Sequence, residues 1–100
     1  MIKKYIATFF SHFGAIRFER GLREYGIKGI VKPVPRSLSS SCGTCVEFEI
    51  NMSLSEEFRD EKAVFYLKDN ELKINDNHNE IEQVAEISKE GYRRIYTAKE

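Results

Sequence analysis

The sequence has no net charge, because its sixteen Lys and Arg residues are matched by sixteen Asp and Glu residues. A chain without a global positive field does not recruit nucleic acid or an anionic membrane surface, so we expect neither partner. It also has no apolar stretch near the roughly 18 residues that a membrane span requires. The apolar run at residues 5–10 ends at Ser11, and no small-residue cleavage site follows. We therefore predict no signal peptide and a cytosolic protein.

Cysteine and histidine are both scarce, with only Cys42, Cys45, His12 and His78. In the cytosol, two cysteines are more often reduced, reactive or metal-bound than joined in a permanent disulfide. A structural zinc ion needs four ligands, and neither histidine stands at finger-like spacing from the cysteines. We therefore predict no metal site and no cofactor.

The composition is that of one globular domain. The 100 residues are 41% hydrophobic and 32% charged, enough for a single core. Hydrophobic periodicity predicts strands at 4–10, 29–34, 45–50 and 92–98, with helices at 12–25 and 80–90. The fold class is therefore α+β, with the β-α-β-β-α-β order of a ferredoxin-like sandwich. Residues 51–78 form an insertion between the third strand and the second helix, with a hairpin predicted at 63–74.

Local signals support several of these boundaries. Ser11 can cap the first helix by accepting an N–H of its first turn. Pro33 cannot donate to a β-ladder, so the second strand is predicted at a sheet edge. Asn79 and Glu82 have the spacing of a capping box, and Gly91 supplies a stop, which predicts the second helix.

The most informative stretch is Pro35-Arg36-Ser37-Leu38-Ser39-Ser40-Ser41-Cys42-Gly43-Thr44-Cys45. Its Pro-Arg…Ser-Ser-x-Cys-Gly string, together with matches elsewhere in residues 5–50 and 79–98, resembles a bacterial family described as selenium/sulfur carrier protein-like. Two features depart from that family. Residues 51–78 are longer than its usual link, and Cys45 matches no position of its motif. The resemblance implies sulfur or selenium chemistry centred on Cys42, with donor and acceptor proteins as partners.

Cys42 is the predicted nucleophile. A thiolate, not a thiol, accepts sulfur, so the site must favour deprotonation and leave the sulfur accessible. A turn at Gly43 and the preceding serine N–H groups can form an anion-binding nest. The Arg36 guanidinium suits either the thiolate or an anionic partner, and the alternative is an ordinary surface cation. The alternative is that Cys42 is a small buried hydrophobe. The residues assigned to binding are Arg36, Ser39, Ser40, Ser41 and Gly43.

Cys45 and His12 are further candidates. If residues 42–45 form a turn, their Cα atoms fall within ~7 Å, and Cys45 can resolve a persulfide on Cys42. Its alternative is a purely structural cysteine. A crossover through the first helix makes the first two strands parallel, which brings His12 and the helix start beside the 35–44 loop. His12 and the helix dipole would then favour a thiolate. The alternative is that His12 is a solvated histidine at the helix start.

Two functions follow from these observations. The first is a sulfur or selenium carrier that holds a persulfide or selenopersulfide on Cys42, with release assisted by Cys45. We infer a carrier and not a self-sufficient catalyst, because no general base or cofactor motif is evident. The second is a protein-interaction module with structural cysteines and the 51–78 insertion as its contact surface. The sequence leaves the oligomeric state open, a homo-oligomer included.

Overall fold

The computed structural model describes residues 2–38, 40–53, 63–69 and 71–98. Part of the predicted 51–78 insertion, residues 54–62, lies outside the described residues. The described elements, in chain order, are β1 (Ile2–Phe9), α1 (His12–Glu24), β2 (Gly29–Pro33), β3 (Thr44–Asn51), β4 (Phe65–Lys68), β5 (Glu71–Ile74), β6 (Ile81–Ser88) and β7 (Gly91–Thr97).

Five of the strands form one sheet in the order β2-β3-β1-β6-β7, and β4 pairs with β5 in a separate hairpin. All neighbouring strands are antiparallel. Because β1 and β2 are each antiparallel to β3, they run parallel to one another, as predicted for a crossover through α1. β1 and β2 therefore end, and β3 and β6 begin, at the same end of the sheet. We call this the loop end.

The prediction of a second helix at 80–90 is wrong, because residues 81–88 form the strand β6. β6 pairs with β1 on one side and β7 on the other, and this pairing outweighs the intrinsic helix propensity of its Glu, Gln and Ala residues. Asn79 does not cap a helix; its φ is +53°. The Asp76 carboxylate instead accepts the N–H groups of Glu80 and Ile81. The fold is α+β with one described helix, and the ferredoxin-like order is not observed.

The other elements lie close to their predicted positions. The first three strands, α1, the hairpin within 63–74 and the final strand are all present. Ser11 caps α1 by accepting the Gly14 N–H at 3.3 Å. β2, which ends at Pro33, is an edge strand of the sheet, as its proline predicts.

The two faces of the sheet are covered differently. α1 and the β4–β5 hairpin pack on one face, where the Phe18 ring contacts the rings of Phe9, Phe48 and Phe65. On the opposite face Ile6, Cys45 and Ala85 form a small buried cluster, against which Val34 and Leu38 pack from the β2–β3 connection. That connection therefore covers part of the second face.

Candidate thiol site

The site loop, residues 34–43, connects the two strands β2 and β3 at the loop end. Its base is closed by the Val34 N–H, which donates to the Gly43 carbonyl at 3.0 Å. Within the loop, the Leu38 N–H donates to the Pro35 carbonyl at 3.0 Å. Gly43 has a φ of +75°, a left-handed conformation that glycine adopts without steric cost. The glycine after Cys42 therefore turns the chain into β3, as the motif predicted.

Cys42 lies half-buried against the core beneath α1. Its thiol donates to the Thr44 carbonyl oxygen, with 3.6 Å between sulfur and oxygen. The Thr44 hydroxyl is in turn 3.3 Å from Nδ1 of His12, the first residue of α1. The predicted neighbourhood of the helix start and the loop is thus confirmed. Because the carbonyl accepts a hydrogen bond only from the protonated thiol, a thiolate at this position must turn toward other donors.

Cys45 lies on the other face of the sheet and is fully buried. Its thiol donates to the Pro33 carbonyl at 3.7 Å. Burial raises the pKa of the Cys45 thiol, and the charge of Glu47 adds to this rise while Lys32 opposes it. Both cysteines are free thiols. The described conformation does not present Cys45 as a resolving nucleophile, and its part in release stays a prediction.

The backbone N–H and the hydroxyl of Ser41 both donate hydrogen bonds to the carboxylate of Glu82. Its backbone N–H lies 3.1 Å from Oε1 of Glu82, and its hydroxyl lies 2.6 Å from Oε2. The buried Thr8 hydroxyl donates to the same Oε1 at 3.1 Å. Burial alone would raise the pKa of Glu82, but the hydrogen bonds from Ser41 and Thr8 outweigh it and lower this pKa. The anion that the Ser41 N–H binds in this structure is therefore a glutamate and not the Cys42 thiolate.

The sequence did not reveal Glu82 as part of the site. Its spacing from Asn79 assigned it to a capping box, and only the pairing of β6 with β1 places it beside the loop. A sequence signal for this contact is absent, because residues 41 and 82 lie far apart in the chain.

The remaining predicted residues surround Cys42 less closely. Ser40 Oγ is buried and has no hydrogen-bond partner among the described residues. It lies near enough to the Glu82 carboxylate to contribute to the lowered pKa of Glu82. Ser39 lies outside the described residues. Arg36 is exposed and makes no hydrogen bond or ion pair within the part of the chain that the structure describes. The structure thus brings Cys42 and Gly43 together with Thr44 and His12.

Two further properties bear on the chemistry of the described residues. No three His, Cys, Asp or Glu side chains among them are grouped so as to hold a metal ion. In the same residues, no helix combines the length and apolar character needed to cross a membrane.

Comparison with known proteins identifies the family. No curated protein and no solved structure matches the chain. A family model does match, over residues 4–79, and this range contains most of β1 and all of α1, β2, the site loop, β3, β4 and β5. Cys42, the half-buried thiol of the loop, lies inside the matched range. The chain belongs to the family described as "Putative Se/S carrier protein-like".

Proposed function

We propose that this protein carries sulfur or selenium in the cytosol as a persulfide or selenopersulfide on Cys42. The observation that carries the proposal is the half-exposure of Cys42 on the site loop, inside the family-matched range, while Cys45 is fully buried. A carrier thiol must be reached by its donor and by its acceptor, and of the two thiols Cys42 meets this condition.

Loading and release are two thiol-exchange steps. The Cys42 thiolate attacks the terminal sulfur of a donor persulfide, so that a bond forms to Cys42 Sγ, the donor's S–S bond breaks, and the donor leaves as a thiolate. An acceptor nucleophile then attacks the same terminal sulfur, and Cys42 leaves as a thiolate. No net oxidation occurs in either step. With selenium, the transferred atom changes and the balance is the same.

Loading requires a Cys42 thiolate, and the start of α1 lies near this residue, connected to it through Thr44. His12 lies at the positive end of α1, and its ring is within hydrogen-bond distance of the Thr44 hydroxyl. The carbonyl of the same Thr44 accepts the hydrogen bond from the Cys42 thiol. If the sulfur rotates away from this carbonyl, it leaves a hydrogen-bond acceptor and approaches the start of α1, where the partial charge of the helix is positive. We assign Cys45 a packing role. Release of the carried sulfur is then performed by the nucleophile of the acceptor, without Cys45.

Arg36 is proposed to bind an anionic group on the donor or acceptor protein, because its side chain is exposed on the site loop. The Arg36→Ala variant should load more slowly from glutathione persulfide, which is anionic. Loading from the persulfide of mercaptoethanol, which lacks the carboxylates of glutathione, should be unchanged. Added salt should reduce the difference, since exposed charges are screened over about 8–10 Å. Equal loading of parent and variant by glutathione persulfide would remove Arg36 from the proposal.

Intact-mass measurement after incubation with glutathione persulfide tests the proposed function. The parent and Cys45→Ser should gain the mass of one sulfur atom, and this gain should disappear after reduction. Cys42→Ser should keep its fold and gain no sulfur. A parent protein that gains no sulfur, with both thiols equally slow to react, would instead support the interaction module with structural cysteines.

A further inference from the structure

The chain on either side of Cys42 is fixed by two different anchors. On one side Thr44 pairs with Pro33 in the ladder between β2 and β3, and the Val34–Gly43 hydrogen bond closes the loop. On the other side, Ser41 is held by the Glu82 carboxylate through two hydrogen bonds of 3.1 and 2.6 Å. The second anchor is therefore a side chain of β6, and it acts on the residue directly before Cys42.

A β-bulge orients Glu82 for this contact. Thr8 of β1 pairs with Gln83, but Phe9 pairs with Ile81, so Glu82 has no residue opposite it on β1. Bulges often redirect a side chain beside a functional site. The Thr8 hydroxyl also donates to the carboxylate, so three hydrogen bonds orient it. Within the described ranges no cation pairs with Glu82, which leaves its charge available to strengthen these hydrogen bonds.

We propose that Glu82 is a positioning residue for Cys42. The Glu82 carboxylate holds Ser41 and so keeps the Cys42 sulfur half-buried beside Thr44. The purpose of this restraint rests on the proposed function, since a fixed carrier sulfur presents the same geometry to its donor and to its acceptor. A loop that is ordered before a partner arrives also loses less conformational entropy on binding. Glu82 touches neither the sulfur nor the transferred atom.

Alkylation of Cys42 by iodoacetamide at neutral pH tests the anchor. The Ser41→Ala and Glu82→Gln variants should each be alkylated several-fold faster at Cys42, because the chain directly before Cys42 is no longer held by Glu82. The double variant should be no faster than the faster single variant, since both changes break the same contact.

Asp76→Asn is the matched control. The Asp76 carboxylate also accepts two backbone N–H groups, those of Glu80 and Ile81 at 3.1 and 3.0 Å, but neither belongs to the site loop. This variant should lose stability and leave the Cys42 rate unchanged.

A second readout separates anchoring from a general effect on packing. A pyridyl disulfide labels thiols even in acid, so the ratio of the Glu82→Gln rate to the parent rate can be followed with pH. Above the pKa of Glu82, which is lowered from its ordinary value of about 4.3, the parent carboxylate is ionised and the ratio should exceed one. As the pH falls through this pKa, the parent loses its own anchor and the ratio should approach one. A packing defect in the glutamine variant would give a ratio that does not change with pH.

Two results would overturn the proposal: parent-like alkylation rates in both anchor variants, or an equal acceleration in Asp76→Asn. Failure of the proposed function can be distinguished from failure of the positioning proposal, because sulfur uptake and Cys42 alkylation are measured separately. A parent that takes up no sulfur, with Cys42 alkylation still controlled by Glu82, would reject sulfur carriage and leave the positioning of Cys42 in place.

Discussion

At the scale of single residues, access and thiolate fraction control how fast a cysteine reacts. Cys42 is half-buried, whereas Cys45 is fully buried and its pKa is raised by burial. Both differences slow the reaction of Cys45. We therefore expect iodoacetamide at neutral pH to modify Cys42 several-fold faster than Cys45. Peptide mapping at short times, with Cys42→Ser and Cys45→Ser as references, measures the two rates. Equal rates would contradict the assignment of Cys42 as the accessible thiol.

The turn beside Cys42 could be predicted from the sequence, but the contact between Ser41 and Glu82 could not. Cys42 and Gly43 adjoin in the motif, and a glycine with positive φ is a local requirement. Glu82 reaches Ser41 only because β6 pairs with β1 and carries a bulge. Such a contact depends on strand register, which the spacing of hydrophobic residues does not fix across forty positions.

At the scale of secondary structure, the two glycines inside α1 should respond differently to alanine. A Cβ at Gly21 would meet no atom within 4 Å, whereas a Cβ at Gly14 would lie 3.0 Å from Glu80 Cβ and 3.3 Å from the Glu80 carbonyl oxygen. Gly21→Ala should stabilise the protein by up to about 1 kcal/mol through helix propensity. Gly14→Ala should gain less or lose stability, because α1 must move away from the start of β6. Urea unfolding of both variants measures the difference. A Gly14→Ala protein as stable as Gly21→Ala would show that this close approach is not restrictive.

The strand that the sequence did not predict, β6, pairs with β1, which lies near the opposite end of the chain. Ile81, Val84 and Ala85 stand at helical spacing, and all three are buried in the strand β6. In a strand bonded on both sides, both faces can be covered, so alternation is lost and a helical pattern is imitated. By contrast, Val46, Phe48 and Ile50 of β3 alternate along the strand, and all three belong to the core on one face of the sheet.

At the scale of the whole molecule, alkaline pH tests how tightly the hairpin and the sheet enclose Tyr5. This residue is 1% exposed, its ring stacks on Phe48 at 5.5 Å, and burial, followed by the charge of Glu86, raises its pKa. In the unfolded chain a tyrosine ionises near pH 10, whereas folded Tyr5 keeps its proton. The stability that Tyr5 contributes is therefore complete below about pH 10 and decreases above it, by up to ~1.4 kcal/mol per pH unit.

Urea unfolding between pH 8 and 11 should show this decline in the parent. The Tyr5→Phe variant should show a shallower decline, because phenylalanine has no proton to lose. The exposed Tyr92→Phe variant serves as the control and should follow the parent. Parallel curves for Tyr5→Phe and the parent would contradict the closed packing of the hairpin on the sheet.

The central claim, that Cys42 accepts and then gives up a sulfur atom, is tested most directly by cyanolysis of the loaded protein. After loading with glutathione persulfide and removal of excess donor, cyanide attacks the terminal sulfur, forms thiocyanate and returns Cys42 as a thiolate. We predict about one thiocyanate per chain for the parent and for Cys45→Ser, and none for Cys42→Ser. Equal thiocyanate from Cys42→Ser and the parent would contradict the account, because the carried sulfur would then reside elsewhere.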